Sequence, residues 1–240
     1  MKKLEVIGFN IQSCIMAQRA GAYRIELCDS PGEGGTTPSA GLIREARKKL
    51  SIELFPIIRP RGGDFLYSDD EFEIMKTDVL LCKNAGCDGV VIGMLNADGS
   101  VDTNRCSQLV ELAYPLGVTF HRAFDRSANA FEAMEHIISI GCERILTSGQ
   151  RSSINEGAGL VAELVTKADN RIIIMPGSGV RADNIQWIAE KTKATEFHSS
   201  ARTLISSNMT YRNEQFPEEL NAVGVDEEEI RRMVGVLNGE

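Results

Sequence analysis

Short apolar runs rich in β-branched residues alternate with longer amphipathic segments along most of the chain. The runs predict eight strands, at residues 4–9, 23–28, 53–59, 89–94, 118–123, 144–148, 171–175 and 195–199. Helical spacing of the apolar positions predicts seven intervening helices, at 11–20, 39–50, 69–84, 102–113, 130–140, 155–168 and 182–191. Such an alternation is typical of repeated βα units around a parallel sheet.

Cap signals support these helix boundaries. Ser68 and Glu71 have the spacing of a capping box, which predicts a helix start at residue 69. Gly21, Gly86 and Gly141 each stand just after a predicted helix and just before a predicted strand. We interpret these glycines as left-handed helix caps in a weak internal repeat of the βα unit.

The number of units favours a closed barrel. Eight βα units in 240 residues match a (β/α)₈ TIM barrel, here a single α/β domain at 1–202. An open doubly wound sheet would carry a glycine-rich dinucleotide turn after the first strand, but that turn reads GFNIQ, so no nucleotide cofactor is predicted. Residues 203–240 are predicted to be an extension that packs on the barrel. It has a polar, irregular stretch at 203–224 and a final helix at 226–237, whose cap is Asp226 with Glu229 three residues later.

Charge and composition narrow the range of partners. The chain has 26 Lys and Arg against 34 Asp and Glu, a formal net charge of −8, which argues against a nucleic-acid partner. The apolar runs are of strand length, far short of a membrane span. Glu5 interrupts the first apolar run, where a signal peptide would stay apolar. We therefore expect a cytoplasmic protein with neither a nucleic-acid nor a membrane partner.

The six cysteines do not form a recognisable metal motif. There is no C-x-x-C pair and no Cys/His spacing of the structural zinc kind, so reduced thiols are expected. Cys14, Cys82 and Cys106 fall on predicted helices and are interpreted as small buried apolar residues. Cys28 ends a predicted strand and is a candidate ligand.

Strand periodicity points several polar side chains into the barrel at the end where active sites of this architecture lie. Glu26 and Cys28 alternate with the apolar pair Ile25 and Leu27 on the second strand, so the polar pair faces inward. The same alternation predicts that His121 on the fifth strand and His198 on the eighth strand also face inward. Each residue alone could be structural, but burying several polar groups together is costly unless they are used. The candidate catalytic residues are Glu26, His121 and His198.

Other residues at this end are candidates for binding an anion. Arg59 and Arg61 share one face at the end of the third strand. Small residues follow the later strands, where TIM barrels often bind phosphate. The predicted anion-binding set is Arg59, Arg61, Ser148, Gly177, Gly179 and Ser199, with Ser200 and Arg202 nearby. A tight turn before the next helix is the alternative interpretation of the two glycines.

Six segments together resemble the CutC family, whose members are named copper homeostasis proteins. They are RIELC at 24–28, EGGTTPS at 33–39, IRPRGGDFLYSD at 58–69, VTFHRAFD at 118–125, LTSG at 146–149 and EFHSSA at 196–201. The resemblance implies a cytoplasmic TIM barrel that forms a homo-oligomer, a dimer or tetramer, and that takes part in copper tolerance or Cu(I) binding.

The resemblance and the chemistry agree on one metal ligand. Cys28 supplies the soft thiolate that Cu(I) prefers. Copper-linked members that pair cysteines have one on the first strand, where this chain has Ile7. His121, His198 or a cysteine from a second subunit are the alternatives for the second ligand.

Two functions therefore stay open for the ligand site at the barrel mouth. One is copper homeostasis, with Cu(I) held through Cys28. The other is an enzyme that acts on a small anionic metabolite, phosphorylated or carboxylated, by acid and base chemistry at Glu26 and the two histidines. The sequence alone does not decide whether the protein is an enzyme.

Overall fold

The computed structural model describes residues 2–216 and 219–239 and confirms the TIM barrel. The barrel strands are β1 Lys3–Gly8, β2 Arg24–Leu27, β3 Glu53–Pro56, β4 Gly89–Ile92, β5 Gly117–Phe120, β6 Arg144–Thr147, β7 Ile173–Pro176 and β8 Glu196–Ser199. The helices are α1 Ile11–Arg19, α2 Ala40–Lys49, α3 Asp69–Asn84, α4 Thr103–Ala113, α5 Ala130–Ser139, α6 Ile154–Ala168, α7 Ile185–Thr192 and α8 Glu227–Asn238. Short 3₁₀ turns cover Pro31–Glu33 and Arg122–Arg126.

The barrel is built from two four-stranded parallel sheets. Their strand orders are β3-β2-β1-β8 and β4-β5-β6-β7. The Ile58 amide donates to the Val91 carbonyl at 2.8 Å and joins β3 to β4 just beyond the end of β3. β7 lies beside β8, but no ladder hydrogen bond links this pair within 2–216 and 219–239.

Caps and glycines set the helix boundaries as predicted. The Ser68 hydroxyl accepts from the Glu71 amide and the Glu71 carboxylate accepts from the Ser68 amide, which completes the capping box. Gly21, Gly86 and Gly141 have φ values of +94°, +79° and +90°, so all three are in the left-handed region that favours glycine.

Apolar and polar layers alternate along the barrel axis. Ile25 and Leu27 of β2 are fully buried in the large core between the strands and the helices. Inside the barrel, a small separate apolar cluster is formed by Ile7, Cys28, Phe55, Ile57 and Val91. Charged side chains lie towards the amino ends of the strands, and a cavity opens at their carboxyl ends.

The extension contains a hairpin that the sequence pattern did not predict. The strands β9 Arg202–Ile205 and β10 Ala222–Val225 pair antiparallel within the stretch interpreted as irregular. The Asp226 amide donates to the Ala201 carbonyl at 2.7 Å, and α8 packs against α1 and α7. The prediction for 203–240 falls partly on residues 217, 218 and 240, which lie outside the described residues. In the described part of the chain, no helix is both long and apolar enough to span a bilayer.

Candidate functional site

A cavity of about 270 Å³ opens at the carboxyl ends of the barrel strands. It is lined by Ile7, Glu26, Gly34, Ile57, Arg59, Phe65, His121, Arg122, Leu146, Ser178, Gly179, His198, Ser200 and Arg202. Five of the residues predicted from the sequence are therefore brought together, namely Glu26, Arg59, His121, Gly179 and His198. The structure does not place Cys28, Arg61, Ser148, Gly177 or Ser199 on the cavity wall.

His198 lies between two buried carboxylates. Its Nδ1 is 2.7 Å from Oε1 of Glu5, and its Nε2 is 3.7 Å from Oε2 of Glu26. Burial by itself lowers the pKa of His198, but the hydrogen bond to Glu5 and the charges of Glu26 and Glu5 outweigh it, so this pKa is raised. His198 is therefore an imidazolium over a wider pH range than a free histidine.

The two carboxylates have opposite pKa shifts. Burial raises the pKa of Glu26 to about 7; the charge of Glu5 adds to the rise and the charge of His198 opposes it. Burial would also raise the pKa of Glu5, but His198 and Arg24 outweigh it and lower that pKa. Groups whose environments separate their pKa values in this way are suited to distinct acid and base roles. Glu26 can exchange a proton near neutral pH while Glu5 stays ionised.

A buried network of ion pairs holds Glu5 in place on the amino-terminal side of the cavity. Arg24, only 1% exposed, donates to Glu5 at 3.1 Å and to Glu196 at 2.9 Å. Arg144 donates to the same oxygen of Glu196 at 3.2 Å. A buried carboxylate is tolerated when it is paired and hydrogen-bonded, and this network satisfies both conditions for Glu5 and Glu196. The floor of the cavity is thereby fixed in position.

His121 is buried and neutral. The prediction placed it inside a strand at 118–123, but β5 ends at Phe120, and His121 caps the following 3₁₀ turn, with its Nδ1 accepting from the Ala123 amide at 3.1 Å. Burial, and to a smaller extent the charge of Arg59, lower the pKa of His121 to about 3. Because Nδ1 accepts, Nε2 carries the proton, and this buried N–H has no partner within the described residues.

Arg59 brings a positive charge to the wall, and no carboxylate among the described residues forms an ion pair with it. Its guanidinium donates to the carbonyls of Glu33, Gly35 and Gly63 at 2.7, 2.8 and 3.0 Å. The guanidinium also stacks on the Phe65 ring, 5.0 Å from its centroid. These neutral contacts fix the side chain without cancelling its charge.

Arg61, unlike Arg59, does not line the cavity. It forms ion pairs with Glu71 at 2.6 Å and Asp64 at 2.9 Å, and it packs on the Tyr67 ring. Because the chain turns after residue 59, Arg61 supports the loop that leads into α3, and its part in binding an anion together with Arg59 stays a prediction.

The other small residues of the predicted anion set are already engaged in protein contacts. Ser148 is fully buried and is held by the Asp125 carboxylate, which accepts from its hydroxyl at 2.9 Å. The Ser199 hydroxyl donates to the Val180 carbonyl at 2.7 Å, and the Gly177 amide donates to the Thr147 carbonyl at 2.9 Å. The structure leaves Gly179 at the cavity, together with its neighbour Ser178, with Ser200 from the loop after β8 and with Arg202 at the start of β9.

A wider groove of about 700 Å³ continues outward from the cavity. It shares Arg59 and Arg122 with the cavity and adds Arg126 and Arg151. Arg122 is paired with Asp125 at 2.7 Å, whereas Arg126 and Arg151 have no ion pair within 2–216 and 219–239. The groove is also lined by Glu33, Asp125 and Glu156, so its four arginines exceed its carboxylates by one although the whole chain is acidic.

Cys28 points into the barrel but is closed off from the cavity. Its side chain is fully buried in the interior apolar cluster, and a Cβ added to Gly35 would lie 3.1 Å from its Sγ. Burial raises the pKa of the Cys28 thiol well above its ordinary value, and the charge of Glu26 adds to the rise. Without a bound cation, this thiol is protonated at neutral pH.

Two ligand sets of different chemistry are thus close to the cavity. Glu5, Glu26 and His198 have ligand atoms within 4.8 Å of one another, an oxygen and nitrogen set that suits divalent cations of hard or borderline character. Cys28 offers the softer ligand that suits Cu(I).

Sequence reasoning missed Glu5, Arg24 and Arg144 as parts of the site. Glu5 and Ile7 alternate with the buried apolar pair Leu4 and Val6 on β1. The strand parity that identified Glu26 would therefore also have identified Glu5. From the sequence, Glu5 is noted above only as the charge that interrupts the first apolar run.

Comparisons with known proteins identify the family and support the fold. The model of the CutC family matches residues 2–203. A family protein CutC from Chromobacterium violaceum is 51% identical over 94% of this chain and 91% of the relative, and the copper homeostasis protein cutC homolog of Homo sapiens is 48% identical over 88% and 77%. A crystal structure of the putative copper homeostasis protein CutC from Streptococcus agalactiae has a TM-score of 0.80 and 35% identity, covering 83% of this chain and 99% of that one. A phosphoribosylanthranilate isomerase from Thermotoga maritima, 12% identical with a TM-score of 0.63, shares the fold alone. The chain belongs to the CutC family.

Proposed function

We propose that this protein acts in copper homeostasis and that it holds Cu(I) through Cys28. Family membership carries the proposal, because relatives about half identical to this chain are named copper homeostasis proteins. Cys28 is the cysteine that belongs to the apolar cluster inside the barrel. It is also the cysteine in the RIELC segment on which the resemblance rests.

The surroundings of Cys28 favour a monovalent soft cation over an empty thiolate. A thiolate at this buried position, next to the Glu26 charge, is unfavourable, which is why the thiol pKa is raised. A bound Cu(I) would neutralise the thiolate charge, and its bond to sulfur replaces the S–H bond. Binding at Cys28 therefore releases one proton for each copper ion bound. A second ligand is still needed, and His121, His198 or a cysteine of a partner subunit are the candidates.

Competition for Cu(I) against a chromogenic chelator under anaerobic conditions tests the proposal. The wild-type protein, Cys28→Ser and Cys106→Ser are compared, because Cys106 is equally buried but lies on α4 outside the barrel interior. We expect tight stoichiometric binding that is lost only in Cys28→Ser. Equal binding by all three proteins, or failure of the wild type to compete, contradicts ligation by Cys28.

The finer expectations about assembly and location belong to the same proposal. We expect a homo-oligomer, a dimer or tetramer, in the cytoplasm. Light scattering coupled to size-exclusion chromatography measures the mass in solution, and a monomer at all concentrations contradicts the expected assembly. Fractionation of the source cells tests the location.

A second candidate function rests on the Glu26 and His198 pair. A carboxyl group with a pKa of about 7 and an imidazolium 3.7 Å away can accept and donate protons at neutral pH. This arrangement suits an enzyme that moves a proton on a small anionic metabolite, with Glu26 as base and His198 as acid. The N–H of His121 would then stabilise a substrate oxygen.

Hydrogen exchange in deuterated water tests this second candidate. Small hydroxy-carbonyl compounds bearing a phosphate or carboxylate are incubated with the wild-type protein and with Glu26→Gln. We expect deuterium to enter next to the carbonyl of one compound only with the wild type. Exchange that is equally fast with Glu26→Gln contradicts the role of Glu26 as base.

A further inference from the structure

Unpaired backbone donors meet on one side of the cavity, where the loops after β7 and β8 approach each other. Because no ladder joins these strands within the described residues, N–H groups along their facing edges lack strand partners. The amides of Ser178, Gly179 and Ser200 donate to no acceptor within 2–216 and 219–239. All three residues line the cavity. Ser178 and Ser200 are half-buried and Gly179 is exposed, so these amides are open to an external acceptor such as a ligand oxygen.

The charge of the cavity wall adds to this preference. Arg202 lies on the same side, contacts only the Pro31 carbonyl at 3.3 Å and the Phe9 ring, and has no carboxylate partner in the described part of the chain. Among the residues that line the cavity, Glu26 is the single carboxylate against the guanidiniums of Arg59, Arg122 and Arg202. A wall of this composition favours an anion.

Two buried side-chain donors on the opposite wall are independent of these loops. The Nε2 of His121 and the Nε of Arg59 have no partner within the described residues, and the two residues are 3% and 5% exposed. Both atoms carry a proton, since His121 is neutral with Nδ1 as acceptor. A buried donor without a partner is costly, so a ligand with acceptor atoms would stabilise this wall.

We propose that this cavity binds a small phosphate monoester. The phosphate lies at the amides of Ser178, Gly179 and Ser200 with the guanidinium of Arg202. Three amides and a guanidinium match the three terminal oxygens of a phosphate better than the two of a carboxylate.

The remaining space defines the rest of the ligand. Ile57, Phe65 and Leu146 give the cavity apolar surface for a short carbon skeleton, and His121 and Arg59 face a hydroxyl or carbonyl oxygen. A volume of about 270 Å³ lies at the lower end of the range for small-molecule sites, which limits the ligand to a small metabolite. This inference goes beyond the copper proposal. It names the substrate class for the second candidate function, but binding itself requires neither copper nor proton transfer.

Calorimetric titration of the metal-free protein tests the inference. The probes are glycerol 3-phosphate, inorganic phosphate and lactate, a carboxylate of similar size. We expect saturable binding of one glycerol 3-phosphate per chain, weaker binding of inorganic phosphate and the weakest binding of lactate. Arg202→Gln should weaken the binding of glycerol 3-phosphate about tenfold, because one charge-assisted hydrogen bond is lost.

Matched variants separate the site from the general charge of the protein. Arg44→Gln removes the same charge from the exposed face of α2 and should bind like the wild type. No saturable binding of either phosphate, tighter binding of lactate, or equal affinities for Arg202→Gln and Arg44→Gln would each overturn the proposal. A failed copper titration would leave it unaffected.

Discussion

Removal of Arg24 should show how strongly the barrel floor depends on its buried ion network. Arg24 is 1% exposed and donates to Glu5 at 3.1 Å, to Glu196 at 2.9 Å and to Glu53 at 2.8 Å. Arg24→Met keeps most of the side-chain volume but leaves these carboxylates without their shared cation. Breaking a buried ion pair by removing one partner costs about 3–5 kcal/mol, and we expect a loss of this size in the free energy of unfolding.

An exposed arginine provides the matched control. Arg231 pairs with Glu227 and Glu228 on α8, and its side chain is 46% exposed. Arg231→Met should therefore cost about 1 kcal/mol or less. Urea unfolding followed through the fluorescence of Trp187, the single tryptophan, gives both values. Similar small losses in the two variants would refute the argument that the interior network is important for stability.

The pH dependence gives the prediction a second readout. In the wild type the pKa of Glu5 is lowered, so this carboxylate contributes stability above its unfolded pKa and loses that contribution as the pH falls through its folded pKa. Without Arg24, the Glu5 pKa rises and protonation relieves the unpaired charge. The stability difference between the wild type and Arg24→Met should therefore shrink below about pH 5. A difference that does not change with pH contradicts the electrostatic cause.

Three further predictions follow from single groups. The pKa of Glu26 is raised to about 7 in the folded protein, so folding loses free energy as the pH rises from the unfolded pKa of Glu26 to 7. Glu26→Gln lacks this loss, so its stability relative to the wild type should increase between pH 5 and pH 8, as measured by urea unfolding. Imidazole NMR should show no titration of His121 between pH 5 and 8 and a raised midpoint for His198; a His121 midpoint near 6.5 would contradict its burial. Gly157→Ala should lower the free energy of unfolding by at least about 2 kcal/mol, because the added Cβ would lie 1.8 Å from the Ser148 carbonyl oxygen. Gly159→Ala in the same helix meets no atom within 4 Å and should raise the free energy of unfolding by up to about 1 kcal/mol. Equal melting temperatures of the two variants would contradict this.

The sequence pattern predicts the barrel because strand and helix periods are local properties. Each predicted barrel strand and helix overlaps an observed one, and the capping box at Ser68 and Glu71 forms as expected. The hairpin β9 and β10 is different, since its pairing partners lie about twenty residues apart along the chain. No local periodicity indicates a pairing of that kind.

Strand parity predicts the site residues that lie on regular strands. Parity places Glu26 and His198 at the cavity, because both lie on regular strands. It does not apply to Arg61, which lies in a loop after β3, where the backbone no longer alternates. Ser148 and Ser199 were predicted to bind an anion, but their hydroxyls donate to acceptors from other parts of the chain. Such long-range hydrogen bonds cannot be predicted from the sequence pattern.

X-ray absorption at the copper edge of the Cu(I)-loaded protein identifies the atoms that bind the metal. We expect a sulfur neighbour of the metal in the wild type and in Cys106→Ser, and loss of that sulfur in Cys28→Ser. A spectrum with only nitrogen and oxygen neighbours, or a sulfur neighbour that persists in Cys28→Ser, would contradict copper ligation by Cys28.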